Sequence, residues 1–320
     1  MSIAPVFQAR RLNSKGRVAE CLEAGWKMPP QLGYTESLTA LIPQIFQMVN
    51  MFQKGLVFSA LVIFSFCVAC ESPATAQDAG YGHLKGRIVV TGDVPAAAEI
   101  ALSTDDRQYC IDTGKPFTSR KLLVGPDGQL QDAFVMMYFG RGDKKRPEAH
   151  PSYKDAPTVS LDNVNCRFEP RAIFVRKGQS LEFKNSDRIG HNCHVVTMNF
   201  EENCSLGAGQ KLSVEMEDAS RLPGIVKCDA HPWMEALLLV RDEPYAAVTD
   251  KDGSFTIENI PAGEWKFQFW HTTRGYLRAL EKDGESAVGK RGEITVTIPD
   301  GGVLDLGDMT IPAEFLLEQK

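Results

Sequence analysis

Residues 226–240, VKCDAHPWMEALLLV, place Cys228, His231 and Met234 in a C-x-x-H-x-x-M spacing, with a Leu/Val run directly behind it. A thiolate, an imidazole and a thioether on one short loop are donors for a soft or borderline metal ion. Three residues on one loop leave such an ion open, so a fourth donor must come from elsewhere. The segment NSDRIGHNCHVV offers His191 or His194 at the start of an apolar strand. One thiolate with two imidazoles and a weak thioether is the donor set of an electron-transfer copper site. Zinc favours four strong ligands in a tetrahedron and gains little from Met234. Haem attachment would need C-x-x-C-H, which the sequence lacks.

Positioning such a set calls for strands that bring distant loops together. The chain has 320 residues, 43% hydrophobic, with 27 Gly and 18 Pro punctuating short runs of Val, Ile, Leu and Phe. That pattern predicts an all-β protein with two cores. Residues 81–95 read as a strand ending in a turn, and 121–140 as two strands around Pro126-Asp127-Gly128. Residues 140–157 read as a polar loop whose Arg141-Gly142-Asp143 triplet is taken as a chance match and not as an adhesion signal. Strands are expected on both sides of Lys177-Gly178, with Leu181 and Phe183 pointing inward, then over GHNCHVVTM, KLSVEME and the 226–240 stretch. Further on, Asp250-Lys251-Asp252-Gly253 reads as a hairpin turn, and Pro261-Ala262-Gly263 precedes the alternating EWKFQFW. On a strand His191 and His194 point to opposite faces, so only one of them can meet the metal.

The net charge of −6 and the absence of a clustered basic patch argue against nucleic acid as a partner. Residues 1–50 are an N-terminal extension without signal-like order, and Met48 or Met51 is a candidate start. Residues 51–76 read as a signal peptide, with Lys54, an apolar run over 55–69 and an A-x-A site cut before Gln77. The competing readings are a lipoprotein signal lipidated at Cys70 and an uncleaved anchor. Either way the protein is exported, to the periplasm or outside the cell. There, cysteines oxidise in pairs. Past the signal stand Cys110, Cys166, Cys193, Cys204 and Cys228. With Cys228 kept for metal, the favoured pairing is Cys110–Cys166 and Cys193–Cys204, the latter close together around one loop.

Residues 157–241 resemble a cupredoxin, a blue (type 1) copper domain with a Greek-key β-sandwich. The ligand loop, with Pro232 after His231 and Trp233 before Met234, is similar to the amicyanin type. NSDRIGHN is similar to the segment that supplies the upstream ligand in amicyanins and plastocyanins. The resemblance implies one copper ion held by His191, Cys228, His231 and Met234, with Asn192 bracing the two ligand loops and His194 off the metal. Cys193 and His194 directly after the His-Asn pair depart from the family pattern. TDKDGSFTIENIPAGEW resembles a carboxypeptidase regulatory-like (prealbumin-like) sandwich. The expected domains are therefore a β region over 77–156, either part of the copper unit or ahead of it, the cupredoxin domain over 157–243, and a second small β-sandwich over 244–320.

The function expected on this basis is one-electron transfer with a partner redox protein such as a cytochrome or an oxidoreductase, without enzymatic activity. Pro232 and Trp233 would flank an exposed His231 as an apolar docking patch. Copper storage or delivery, and a structural or carbohydrate-binding sandwich with a vestigial site, are the alternatives. A copper enzyme would need a second set of histidines, and His83, His150 and His271 show no partner spacing.

Overall fold

The computed structural model describes residues 10–12, 80–110, 116–143 and 145–317, which fall in one compact unit. The expectations for the start site, the signal peptide and a lipid anchor at Cys70 lie outside these residues. The first three strands are β1 (Arg10–Leu12), β2 (Tyr81–Thr91) and β3 (Phe134–Met137). The next set is β4 (Val159–Asn163), β5 (Phe168–Glu169), β6 (Ala172–Arg176), β7 (Ser180–Asn185), β8 (His191–Val196), β9 (Glu201–Leu206), β10 (Lys211–Met216), β11 (Gly224–Lys227) and β12 (Glu235–Arg241). Then come β13 (Ala246–Val248), β14 (Ser254–Pro261), β15 (Gly263–His271), β16 (Gly275–Tyr276), β17 (Glu281–Lys282), β18 (Glu285–Ser286), β19 (Glu293–Ile298) and β20 (Val303–Pro312). The α-helices are short: α1 is Thr104–Cys110 and α2 is Ala313–Leu317. Among the described residues no helix is long and apolar enough to cross a membrane.

Two sheets of order β1-β10-β7-β4-β5 and β6-β12-β11-β8-β9 form the first sandwich. Period-2 alternation builds its core. In β7, Leu181, Phe183 and Asn185 face inward, and in β8, His191, Cys193 and Val195 do. Leu161, Phe168, Leu181, Val195, Val226 and Leu238 meet in one buried cluster. β12 breaks the alternation because both its faces are covered. Ala236, Leu238 and Val240 join that cluster, while Leu237 and Leu239 pack with Phe134, Met136 and Ala172 in a second one. A strand buried on both sides reads as an unbroken apolar run, which explains ALLLV.

The second sandwich differs from the expected division. β2 pairs with β14 and β20, and β3 pairs with β13 and β15, so the strands of 81–137 share sheets with the C-terminal strands. The Asp250–Gly253 turn does not make a hairpin either. Its flanking strands β13 and β14 sit in different sheets. Asp250 Oδ1 accepts from the Asp252 and Ser254 amides, and a Cβ on Gly253, at φ +70°, would lie 2.6 Å from the Ile88 carbonyl. The turn thus abuts β2 and hands the chain from one sheet to the other. The Pro126–Gly128 turn is present, flanked by a single bridge between Val124 and Leu130.

His271, at the end of β15, is fully buried. Burial, aided by the positive charge of Arg171, pushes its imidazole down to about 3. In the unfolded chain an imidazole titrates near 6.5, so the unfolded state binds more protons between the two values. Stability is therefore expected to fall as pH drops below about 6.5, by roughly 2 kcal/mol at pH 5 from this group. Urea midpoints at pH 7 and pH 5 for the wild type and for His271→Gln check this. The variant should lose that share of the pH dependence, and an unchanged dependence would contradict the assignment.

Candidate metal centre

β11 runs beside β8 with Lys227 opposite His194, which brings the end of β11 to the start of β8. Cys228 follows β11, and the loop that it opens is tight. The Cys228 amide donates to the Met234 carbonyl at 3.2 Å, and the Met234 amide donates to the His231 carbonyl at 2.9 Å. Proline at 232 has no amide hydrogen to place. The loop folds back under β8, so that His191, Cys228 and His231 converge, all buried. His191 Nδ1 lies 3.1 Å from His231 Nδ1 and 3.8 Å from Cys228 Sγ, and Cys228 Sγ lies 3.5 Å from His231 Nδ1. Met234 is buried on the same turn. Metal–nitrogen bonds of about 2.0 Å and a metal–sulfur bond of about 2.3 Å, opened by about 100–120°, put donor atoms roughly 3.1–3.8 Å apart, so the three side chains fit a metal ion.

The surrounding groups orient the donors. His191 Nε2 meets Asp187 Oδ2 at 2.8 Å. A carboxylate there accepts from Nε2–H, so that Nδ1, facing the cluster, is the nitrogen that would give up its proton to a metal ion. Asp187 is itself fixed by the backbone amides of Asn165 and Cys166, at 2.6 and 2.8 Å. Asn192 Oδ1 accepts from the Asp229 amide at 2.8 Å and from the Cys228 thiol at 3.2 Å, tying the two ligand segments together. Burial pushes the Cys228 thiol up, but hydrogen bonds from His191, the Asn192 backbone and His231 outweigh it and bring it down to about 6. Burial likewise works against protonated His191, and Asp187 and Cys228 together raise it to about 9. Both directions favour a thiolate at neutral pH, the form that binds a metal.

His194 lies on the opposite face of β8. Its ring is held between Asp229, at 3.0 Å, and Glu201, at 2.7 Å, outside the cluster.

A cap covers the cluster's outer side. Ser103 caps α1 by accepting the Asp106 amide at 3.0 Å. Cys110 at the other end of α1 is bridged to Cys166. Leu102, Cys110 and Cys166 join the buried cluster, with Ile100, Phe117 and Trp233 packed against it. The Trp233 ring stands edge-on to Phe117 at 5.9 Å and lies 5.4 Å from the His231 ring, and its indole N–H donates to the Cys166 carbonyl at 3.1 Å. Asp106 Oδ1 lies 3.7 Å from His231 Nε2, just beyond a hydrogen bond. His231 is only 7% exposed and Trp233 half-buried, leaving Pro232 as the exposed member of the expected docking patch. The apolar face expected outside is occupied by the chain's own cap.

The Cys110–Cys166 bridge is present, but Cys193 and Cys204 are not joined by a disulfide. They stand directly opposite each other on β8 and β9. Directly opposed residues on antiparallel strands hold their Cβ atoms about 4.5–5.5 Å apart, longer than the roughly 3.8 Å of a disulfide. Closeness around a loop was a poor guide, because strand pairing sets the side-chain separation. Burial also pushes the Cys193 thiol up to about 12, away from the reactive thiolate.

Asp187 and Asp106 have no counterpart in the sequence reading. Asp187 had a signal in its position four residues before His191. Asp106 had none, since its place depends on where α1 is pinned.

The sequence matches no protein-family model and no curated protein. Among solved structures the chain is similar to a purple cupredoxin from Nitrosopumilus maritimus, at 20% identity over 26% of this chain and 98% of that one, with a TM-score of 0.23. It is similar to a reduced Cu(I) form of an amicyanin mutant, at 19% identity over 33% and 97% of the two chains, with a TM-score of 0.24. It is similar to a copper-containing nitrite reductase from Thermus scotoductus SA-01, at 21% identity and a TM-score of 0.24, over 26% of this chain but only 22% of the reductase. The chain is a mostly β-strand protein of several sheets.

Proposed function

We propose that this protein is an exported blue copper protein that passes single electrons to and from a partner redox protein, such as a cytochrome or an oxidoreductase. The observation that carries this reading is the convergence of His191, Cys228 and His231 within 3.1–3.8 Å, with Met234 buried on the same turn. Copper bound there would supply the interconversion of Cu(II) and Cu(I). The chain's own part is to hold the donors still. Asp187 sets the orientation of His191, Asn192 locks the Cys228 segment, and the cap keeps water from His231. Donors already in place need little movement when the charge at the site changes. Their burial favours retention over exchange, and so electron transfer over delivery. The second sandwich is read as a carboxypeptidase regulatory-like module, a structural appendage to the copper unit.

The test is the visible and electron paramagnetic resonance spectrum of the purified protein loaded with Cu(II). An intense sulfur-to-copper band with a narrow hyperfine splitting is expected. His191→Ala should lose both, while His194→Ala, with its ring on the opposite face between Asp229 and Glu201, should keep both. A colourless wild-type protein would overturn the reading, and bleaching by His194→Ala alone would overturn the ligand assignment.

A further inference from the structure

A cavity of about 510 Å³ lies between the first sandwich, the segment that follows β3, and β15, and shares no lining residue with the His191, Cys228 and His231 cluster. Its size is that of a small-molecule site. Ser220, Arg241 and Gln268, all more than nine-tenths buried, contribute to its lining. Buried polar side chains are retained only when they are satisfied, and these are. Ser220 donates to the Leu222 carbonyl, Gln268 donates to the Arg291 carbonyl, and Arg241 donates to the Met137 carbonyl and to Glu243. This gives the cavity a rigid polar lining.

Arg141, Arg146, Arg221 and Arg291 complete its cationic wall. Two carboxylates share the lining, Asp242 and Glu243. Glu243 is engaged by Arg241, and Asp242 lies 4.0 Å from Lys177. The lining thus carries five guanidinium groups against two carboxylates, three positive charges in excess, on a chain whose net charge is −6. Several are held in place. Arg291 Nη1 donates to the Tyr138 hydroxyl at 3.2 Å. The Arg146 guanidinium lies 3.9 Å from the Phe139 ring centroid and donates to the Asp143 carbonyl at 2.8 Å. The Arg141-Gly142-Asp143 triplet makes a tight turn here, with Asp143 Oδ2 accepting the Gly140 amide at 2.6 Å and Gly142 at φ +93°. Its arginine lines the cavity while its aspartate closes the turn.

A planar guanidinium matches the paired oxygens of phosphate and sulfate groups, and it is less strongly hydrated than an ammonium. Three positive charges in excess match more charge than one carboxylate carries. We propose that this cavity binds a ligand bearing two or more phosphate or sulfate groups. The proposal does not depend on the copper reading.

The experiment is calorimetric titration of the full chain at low ionic strength with pyrophosphate and, separately, with a sulfated disaccharide. Saturable one-to-one binding of at least one probe is expected, and the tighter of the two identifies a phosphorylated or a sulfated source. Arg141→Ser combined with Arg221→Ser should weaken that binding about tenfold or more, since both side chains are exposed and the charge-assisted contacts they offer are the strong kind. A control combining Lys251→Ser and Lys282→Ser removes the same formal charge outside the cavity and should leave binding within about twofold, as screened distant charges do. Binding of neither probe, or equal weakening in the control, would overturn the proposal.

Discussion

Cys228→Ser is expected to abolish the visible absorption of the copper-loaded protein and to lower its Cu(II) affinity by more than about 100-fold. Losing even an outer brace of a metal ligand costs about 10–100-fold, and this change removes a ligand itself. Serine keeps nearly the same shape, so the buried pocket around position 228 should persist. What goes is the soft, polarisable sulfur and the easily formed thiolate. The thiol is held down to about 6, so the wild type presents a thiolate at neutral pH and loses it to protons as pH falls through that value. Copper uptake by the wild type should weaken correspondingly in acid. A hydroxyl has no such ionised form in this range. The measurement is a copper titration followed at the charge-transfer band and by competition with a chelator. A Ser variant that stays intensely coloured would remove Cys228 from the site, and with it the electron-transfer reading.

Opening the Cys110–Cys166 bridge by replacing both residues with Ala should produce the largest stability loss of any surface-preserving change. The bridge spans 56 residues. Constraint of the unfolded chain by a loop of that length corresponds to about 4 kcal/mol. The loss should appear as a lower urea midpoint with a somewhat steeper slope, because the unlinked unfolded chain exposes more surface. A local effect should accompany it. The bridge pins α1 against the sandwich, and Cys166 also supplies an amide to Asp187 and a carbonyl to Trp233. Without it, the cap should open at lower free energy than the rest of the fold. Chemical modification of His231 by a histidine reagent should then speed up relative to the wild type, while modification of half-buried His150 should not change. A midpoint shift worth less than about 1 kcal/mol would mean that the cap is held by its apolar contacts, Leu102 and Phe117 among them, and not by the bridge.

The donor types and their loop spacing were legible because they are local. Three of the four donors lie on one turn, and a turn of that length can fold in few ways. The inward alternation of Leu181 and Phe183 and the opposite faces of His191 and His194 come from the two-residue period of a strand, which operates over a few residues. Tertiary structure decided the rest. β2 pairs with β20 through contacts such as Arg87 with Asp308, 221 residues apart, and no local pattern specifies such a partner. The run Ala236–Val240 marked an apolar strand, but only the packing of Leu237 and Leu239 against Phe134 and Met136 showed that both its faces are covered. Cys193 and Cys204 looked ready to bridge by proximity in sequence, and the register of β8 on β9 holds them side by side instead. The cap was illegible for the same reason. Its contacts with the His191, Cys228 and His231 cluster join α1 to a loop more than a hundred residues later, and their free energy comes from burying Phe117, Trp233 and the Cys110–Cys166 bridge together. Each of these outcomes depends on which apolar faces meet in three dimensions, a choice made by the whole folded chain and not by any one of its segments.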